Sequence, residues 1–243
     1  MQPDHFAGKA AVNYDEGVAS SFAPENLEPT LQRLVELASD GDCLEFAIGT
    51  GRIALPLQAA GLRVDGIEFS PDMIGELKMK PGGSALDVLQ GDMTTTEMGH
   101  TYSLVFLVFN TIMNLTTQEA QVQCFRNASK HLNKGGKFVV EVMVPALRLY
   151  PPGAIAVPFD VSSGHLGFDT YETAAQKLTS HHVTTASDGT SHYSSIPFRY
   201  VWPSELDLMA ELAGMKLHSR HADWNRTAFD DSSKTHISVW EKI

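Results

Sequence analysis

Leu44-Glu45-Phe46-Ala47-Ile48-Gly49-Thr50-Gly51-Arg52 decides how this chain folds. A short apolar run ends in a carboxylate, passes through two glycines and leads into Ile53, Ala54, Leu57 and Ala60 at helical spacing, closed by Gly61. That is a strand, a tight turn and a helix. The glycines let the backbone approach a ligand and adopt conformations that a β-carbon would obstruct. Glu45, at the end of an apolar strand, has a desolvation cost that only a cation or hydrogen-bond donors can offset. It predicts a cleft that receives a positive group such as an ammonium.

The same alternation continues on both sides of the turn. Leu27, Leu31, Leu34, Val35 and Leu37 mark a preceding helix that stops at Ser39-Asp40-Gly41. Downstream, the pattern predicts a strand from Val64 to Glu68, a helix from Pro71 to Met79 opened by Ser70, and a strand from Ala85 to Gln90. Next come a strand from Ser103 to Phe109, a helix from Gln118 to Leu132 and a valine-rich strand from Lys137 to Val144. Strands alternating with helices require crossover connections, so the expected architecture is α/β: a mostly parallel sheet covered on both faces. After Pro145 the rhythm changes. Alternating stretches around Asp188-Gly189 predict a small antiparallel β insertion, at about 146–200, acting as a lid on a single domain of residues 1–243. A last helix starts at Trp202-Pro203-Ser204 and stops at Gly214, and strands at Met215–Asp223 and Thr235–Trp240 complete the core.

Composition narrows the function. The 243 residues suit one large α/β domain, and 43% hydrophobic content is enough for a sizeable core. With 18 basic and 29 acidic residues the net charge is −11, which disfavours attraction to nucleic acid phosphates. Cys43 and Cys124 fall in apolar segments far apart, so no disulfide framework is expected. The longest apolar runs are far shorter than the ~20 residues that cross a bilayer. Residues 1–20 lack the basic start and apolar stretch of a signal peptide, and the expected location is the cytoplasm.

Gly49-x-Gly51-x-x-Ala54, with Glu68 19 residues after Gly49, fits a dinucleotide fingerprint as well as a nucleoside site. Either way, Glu68 can accept from both hydroxyls of a ribose. Three features separate the readings. Glu45 would repel a pyrophosphate. Gln90-Gly91-Asp92-Met93 closes a third strand, where Asp92 can accept from an exocyclic adenine amine and Met93 can pack on the ring. The glycine motif also follows a long helix rather than opening the chain. Together they favour S-adenosylmethionine over a nicotinamide.

On these residues the chain resembles the class I S-adenosylmethionine-dependent methyltransferases, from Tyr14 to the final strand. The resemblance implies a Rossmann-like seven-stranded sheet with an antiparallel last strand. It implies that Glu45 to Gly51 holds the methionine part, that Glu68 binds the ribose and that Asp92 sits at the adenine. The implied cofactor set is Tyr14, Glu45, Ala47, Gly49, Gly51, Glu68, Phe69, Met73, Asp92, Met93 and Phe109, with S-adenosylhomocysteine as product. Ala47 departs from the family's frequent glycine but keeps a small residue. Tyr14-Asp15 is similar to the N-terminal segment that closes over the cofactor in small-molecule members, including amino-sugar N-methyltransferases.

The acceptor side is less determined. Asn110 and Asn114, just after the fourth strand, and Tyr14 are the candidate catalytic residues, although either asparagine could equally be a cap. Phe109-Asn110-Thr111-Ile112 is not the Asn/Asp-Pro-Pro-aromatic motif of enzymes that methylate base amines, and it carries no carboxylate for a Mg²⁺ site. Where some amino-sugar enzymes carry a histidine, Met113 and Asn114 stand here. His218 and His221 point to opposite strand faces, and no metal is expected. Tyr171, Arg199, Tyr200, Trp202 and Trp224 are candidates for substrate contact. The expected partner is a small-molecule methyl acceptor of natural-product type, taking the methyl on N, O or a nucleophilic carbon, with no nucleic acid and no membrane. The alternatives are an NAD(P)-dependent Rossmann oxidoreductase, for which the Tyr-x-x-x-Lys pair is missing, and a non-catalytic S-adenosylmethionine-binding regulator.

Overall fold

Apolar strands buried on both faces need helices above and below, and the computed structural model, which describes residues 4–243, supplies them in turn. Two short helices, α1 (Lys9–Val12) and α2 (Tyr14–Gly17), precede α3 (Pro24–Ala38). Then follow β1 (Cys43–Phe46), α4 (Ala54–Ala59), β2 (Val64–Glu68), α5 (Pro71–Met79), β3 (Asp87–Gln90), β4 (Tyr102–Leu107), α6 (Gln118–His131) and β5 (Leu132–Met143). The insertion contributes β6 (Ala156–Val161), β7 (His165–Glu172), β8 (Lys177–Thr185) and β9 (Ser191–Arg199). The chain returns through α7 (Pro203–Leu212), β10 (Met215–His221) and β11 (Thr235–Lys242).

The main sheet has seven strands in the order β10-β11-β5-β4-β1-β2-β3. β1 pairs parallel with β2 and β4, whereas β11 runs antiparallel to both β5 and β10. This is the Rossmann-like α/β sheet with an antiparallel last strand. One face packs Phe125, Phe138 and Trp240 edge to face, and the other packs Leu34, Leu57 and Val139 under α3 and α4. All four residues of β1 are buried, Glu45 included.

Several boundaries differ from the sequence expectation. β4 stops at Leu107 because Phe109 and Asn110 turn left-handed, with φ of 60° and 61°. A 3-10 turn at Gly83–Ala85 delays β3 to Asp87, and β5 begins directly at Leu132, where α6 ends. The helices before Pro24 have no amphipathic period long enough to announce them.

The insertion is a separate four-stranded antiparallel sheet in the order β6-β7-β8-β9, with Gly189 at φ 84° in the β8–β9 hairpin. Its side chains bond to one another. His165 Nδ1 meets Asp160 at 2.6 Å, its Nε2 meets His182 Nδ1 at 3.0 Å, and His182 Nε2 meets Ser180 at 3.2 Å. Among the described residues no helix is long and apolar enough to cross a membrane.

Candidate active site

Open parallel sheets leave unpaired strand ends at their carboxyl edge, and ligands gather where the connections diverge. There a cleft of about 1070 Å³ is walled by the glycine turn, the ends of β2 and β3, the start of α5 and the turn after β4. Ala47, Gly49, Glu68, Phe69, Met73, Asp92, Met93, Asn114 and Tyr14 line it.

Glu68 is the anchor of this wall. It is buried, and its two oxygens accept from the backbone N–H of Gly49 at 2.8 Å and of Ser70 at 2.9 Å. Burial pushes its pKa up, against these backbone donors. Each oxygen keeps a second lone pair, which suits a vicinal diol. Ser70 caps α5, its hydroxyl accepting from Met73 N. The turn itself is shaped by Ala47 at φ 53° and Gly49 at φ 57°. Ala47 thus carries a left-handed conformation that glycine adopts without penalty.

Glu45 and Gly51 sit behind the wall rather than in it. Glu45 is 3% exposed; the Ala54 backbone N–H bonds its carboxylate, and its Oε2 has no hydrogen-bond partner. Desolvation pushes its pKa well above the usual carboxylate range, with the Arg52 guanidinium opposing. At Gly51 a β-carbon would overlap Leu55 and Leu77, so this glycine is set by helix packing as well as by its φ of 82°. On the adenine side, Asp92 Oδ1 accepts from the backbone and the hydroxyl of Thr94.

The turn after β4 separates the two asparagines. Asn110 faces away from the cleft: its Oδ1 accepts from Met143 N at 2.7 Å and its N–H donates to the Glu141 carbonyl, so it staples β4 to β5. Asn114, with Thr111, lines the cleft. Phe109 and Trp224 belong to a second cleft beside the first, walled also by Arg52, Glu141 and the first turns of α3. Glu141 accepts from Phe109 N and from the Trp224 indole, both at 2.9 Å.

The proposed substrate contacts of the insertion lie outside the first cleft. Arg199 is 5% exposed and ion-paired to Glu205 at 2.6 Å, with Gln121 and Gln176 as further acceptors. It fastens β9 to α6 and α7, a use that a basic residue in a lid sequence does not reveal. Tyr171 packs between Tyr150 and Tyr200, and burial pushes its phenol far up; Trp202 meets Tyr200 edge to face. From the insertion, Pro197 reaches the cleft.

Sequence reasoning missed Asp4, His5 and Phe6, which roof the cleft beside Tyr14. Phe6 meets the Tyr14 ring edge to face at 6.0 Å. The strap is fastened by Gly8 N to Asp72 at 2.6 Å, by Thr50 Oγ1 to Asp15 at 2.6 Å, and by Asp15 with Lys80. No periodicity signals it, since its contacts are single side chains to distant elements. Among the described residues no three or more His, Cys, Asp or Glu are grouped to hold a metal.

A positively charged nucleoside fits this donor set. The orphaned carboxylate oxygen of Glu45 behind the turn and the diol-matched Glu68 at its front suit such a ligand, and neither suits a pyrophosphate.

Comparison with known proteins agrees. Residues 43–136 match a family described as a methyltransferase domain. The chain is 33% identical to the CcbJ methyltransferase from Streptomyces caelestis, over 96% of this chain and 95% of that one, with a TM-score of 0.85. An S-adenosylmethionine-dependent methyltransferase from Clostridium acetobutylicum shares the fold at 14% identity, covering 96% and 98% of the two chains with a TM-score of 0.76. CalS10, an amino pentose methyltransferase from Micromonospora echinaspora solved with S-adenosylmethionine bound, shares it at 18% identity, covering 100% of both chains with a TM-score of 0.72. An uncharacterized methyltransferase of Bacillus cytotoxicus is 33% identical over 102 residues, 42% of this chain; the match spans about half, 46%, of that relative's length.

Proposed function

The chain belongs to the class I S-adenosylmethionine-dependent methyltransferases, and on that premise we propose that it methylates a nucleophilic N, O or C atom of a small molecule, an intermediate of natural-product type. The observation that carries the reading is Glu68, held by two backbone N–H groups in a cleft whose far wall is Asp92 and Met93. We read residues 1–243 as one methyltransferase domain whose insertion at about 146–200 contributes to acceptor selection where Pro197 reaches the first cleft. CalS10, described as an amino pentose methyltransferase, and a sugar N-methyltransferase from Streptoalloteichus share the fold, which favours small acceptors here. Family membership sets aside the nicotinamide and non-catalytic readings.

When bound, S-adenosylmethionine would supply a sulfonium methyl group to an acceptor lone pair, the C–S electron pair staying with sulfur. The chain's part is placement, worth ~7 to 11 kcal/mol for well-oriented partners. In this reading Glu68 fixes the ribose and Asp92 with Met93 the adenine. Ala47 and Gly49 admit the methionine part, with Glu45 behind them as the counter-charge to its ammonium. Tyr14 and the Asp4–Phe6 strap exclude water above it. Asn114 and Thr111 border the transferred methyl. A neutral amine needs no base for the attack, whereas a hydroxyl loses its proton during transfer.

Calorimetry with S-adenosylmethionine, S-adenosylhomocysteine and NADH tests the donor half, and tight NADH binding without response to the sulfonium would sink it. Incubating pools of amine- and hydroxyl-bearing small molecules with the donor, and screening for mass gains of one methyl, tests the acceptor half. Methylation only of macromolecules in a lysate would count against a small acceptor.

A further inference from the structure

The second cleft adjoins the first along the turn after β4, where Phe109 lines the one and Thr111 the other. Arg52, which follows the glycine turn, lies with its guanidinium 4.9 Å above the Phe109 ring. Tyr14, a lining residue of the first cleft, interacts electrostatically with that same Arg52 and with Glu45 and Glu68 behind it. Tyr14 on the first cleft and Arg52 with Phe109 on the second therefore lie where the two spaces approach each other. Beyond them the second cleft, about 700 Å³, has aromatic sides in Phe109 and Trp224 and carboxylates in Glu25, Glu141 and Asp223, against the single guanidinium of Arg52. Glu141 spends its oxygens on the backbone of Phe109 and on the Trp224 indole, which fixes both aromatic walls. Hydrogen bonds from the Thr227 side chain and from its backbone N–H at 3.1 Å hold the Asp223 carboxyl below the usual range, so it is ionised at neutral pH. Aromatic faces and carboxylates together attract an organic cation and turn away an anion.

Building on the methyl-transfer reading, we propose that this second cleft is the acceptor site and that it holds its ligand by a protonated amine carried on a ring, with Trp224 and Phe109 against the ring and Asp223 and Glu25 toward the ammonium. A consequence follows for the chemistry. An amine held by carboxylates stays protonated, since its pKa lies far above theirs, and without a lone pair it is no nucleophile. The atom that takes the methyl is therefore a second group of the same molecule, reaching past Tyr14 and Phe109 into the first cleft. The acceptor class is a difunctional amine: an amino alcohol, a diamine or a comparable ring.

The test uses the full chain loaded with S-adenosylhomocysteine and three probes of one shape: cyclohexylammonium, cyclohexanol and cyclohexanecarboxylate. The readout is the indole N–H resonance of Trp224, assigned with Trp224→Phe. Cyclohexylammonium is expected to shift this resonance and to bind at least about fivefold tighter than the alcohol, with the carboxylate weakest. Asp223→Asn with Glu25→Gln is expected to bring the ammonium down to the alcohol's level while S-adenosylhomocysteine affinity stays within twofold. Glu25→Gln alone, at an exposed position in the first turn of α3, serves where the double variant folds poorly and is expected to give part of that loss. Equal binding of ammonium and alcohol, or an unmoved Trp224 resonance, overturns the proposal. Failure of the wild-type chain to bind S-adenosylhomocysteine would instead break the donor reading, so the two failures are distinguishable.

Discussion

The two sheets of this protein treat polar side chains in opposite ways. At the carboxyl edge of the seven-stranded sheet they are tied to backbone: Glu68 to Gly49 and Ser70, Asn110 to Met143, Glu141 to Phe109. In the four-stranded sheet they are half exposed and bond to one another, as in Asp160, His165, His182 and Ser180. Backbone donors at strand ends are fixed by the fold, so side chains anchored to them inherit its rigidity. Side chains anchored to other side chains do not. The contrast fits the donor reading, since the first cleft is walled by side chains that the backbone of the larger sheet holds in place.

The largest expected effect tests the joint between the sheets. Arg199→Met breaks a buried ion pair and leaves Glu205 without its cation, which costs about 3–5 kcal/mol of stability. Chemical denaturation should record that loss while S-adenosylhomocysteine affinity, measured by calorimetry below the unfolding range, changes less than about twofold. A large affinity loss would show that the insertion does shape the donor site. Next, Glu68→Ala removes two charge-assisted anchors of the glycine turn and should weaken S-adenosylhomocysteine about 100-fold, or roughly 3 kcal/mol. Unchanged binding would remove the backbone-anchored donor edge from the comparison.

Acid should act on the larger sheet through His236, a fully buried residue of β11 whose pKa burial and Arg220 lower to about 4. Its folded-state value lies below the ordinary 6.5, so the stability it contributes is complete above that value and is lost as pH falls toward 4. Between pH 7 and pH 5 the loss is about 2 kcal/mol, and His236→Gln should flatten this part of the stability profile. The smallest effect is that of Glu45→Gln. Its raised folded pKa means that stability present at low pH is lost as the carboxyl ionises inside the protein. The variant without donor should melt higher at pH 8 and unchanged at pH 4, with about 2–4 °C for each kcal/mol regained. It should also bind S-adenosylmethionine about tenfold more weakly, roughly 1.4 kcal/mol, if the orphaned oxygen meets the ammonium. Higher melting with undiminished affinity would leave Glu45 without a place at the donor.

The donor edge was legible because each of its parts has a local signature. Glycines after a strand, Ser70-Pro71 at a helix start and a carboxylate at a strand tip are each readable from a few neighbouring residues. Arg199 was misread for the opposite reason. Its partners Gln121, Gln176 and Glu205 come from three other segments, and no spacing in sequence brings them together. Asn110 likewise looks like a functional residue in a turn, and only the position of Met143 shows that it staples two strands. The Asp4–Phe6 roof was invisible because it is built from contacts to Ser70 and the Tyr14 ring, with Gly8 behind it on Asp72, rather than from a periodic face.

That roof also has a practical bearing. Because β11 runs against β5, the exposed Ile243 after it emerges at the edge of the sheet opposite the clefts, whereas Asp4 lies directly on one of them. An affinity tag joined ahead of Asp4 would sit beside the first cleft, and one joined after Ile243 would hang clear of it. Purified preparations differing only in which end carries the tag should therefore differ in turnover before any residue of the site has been touched.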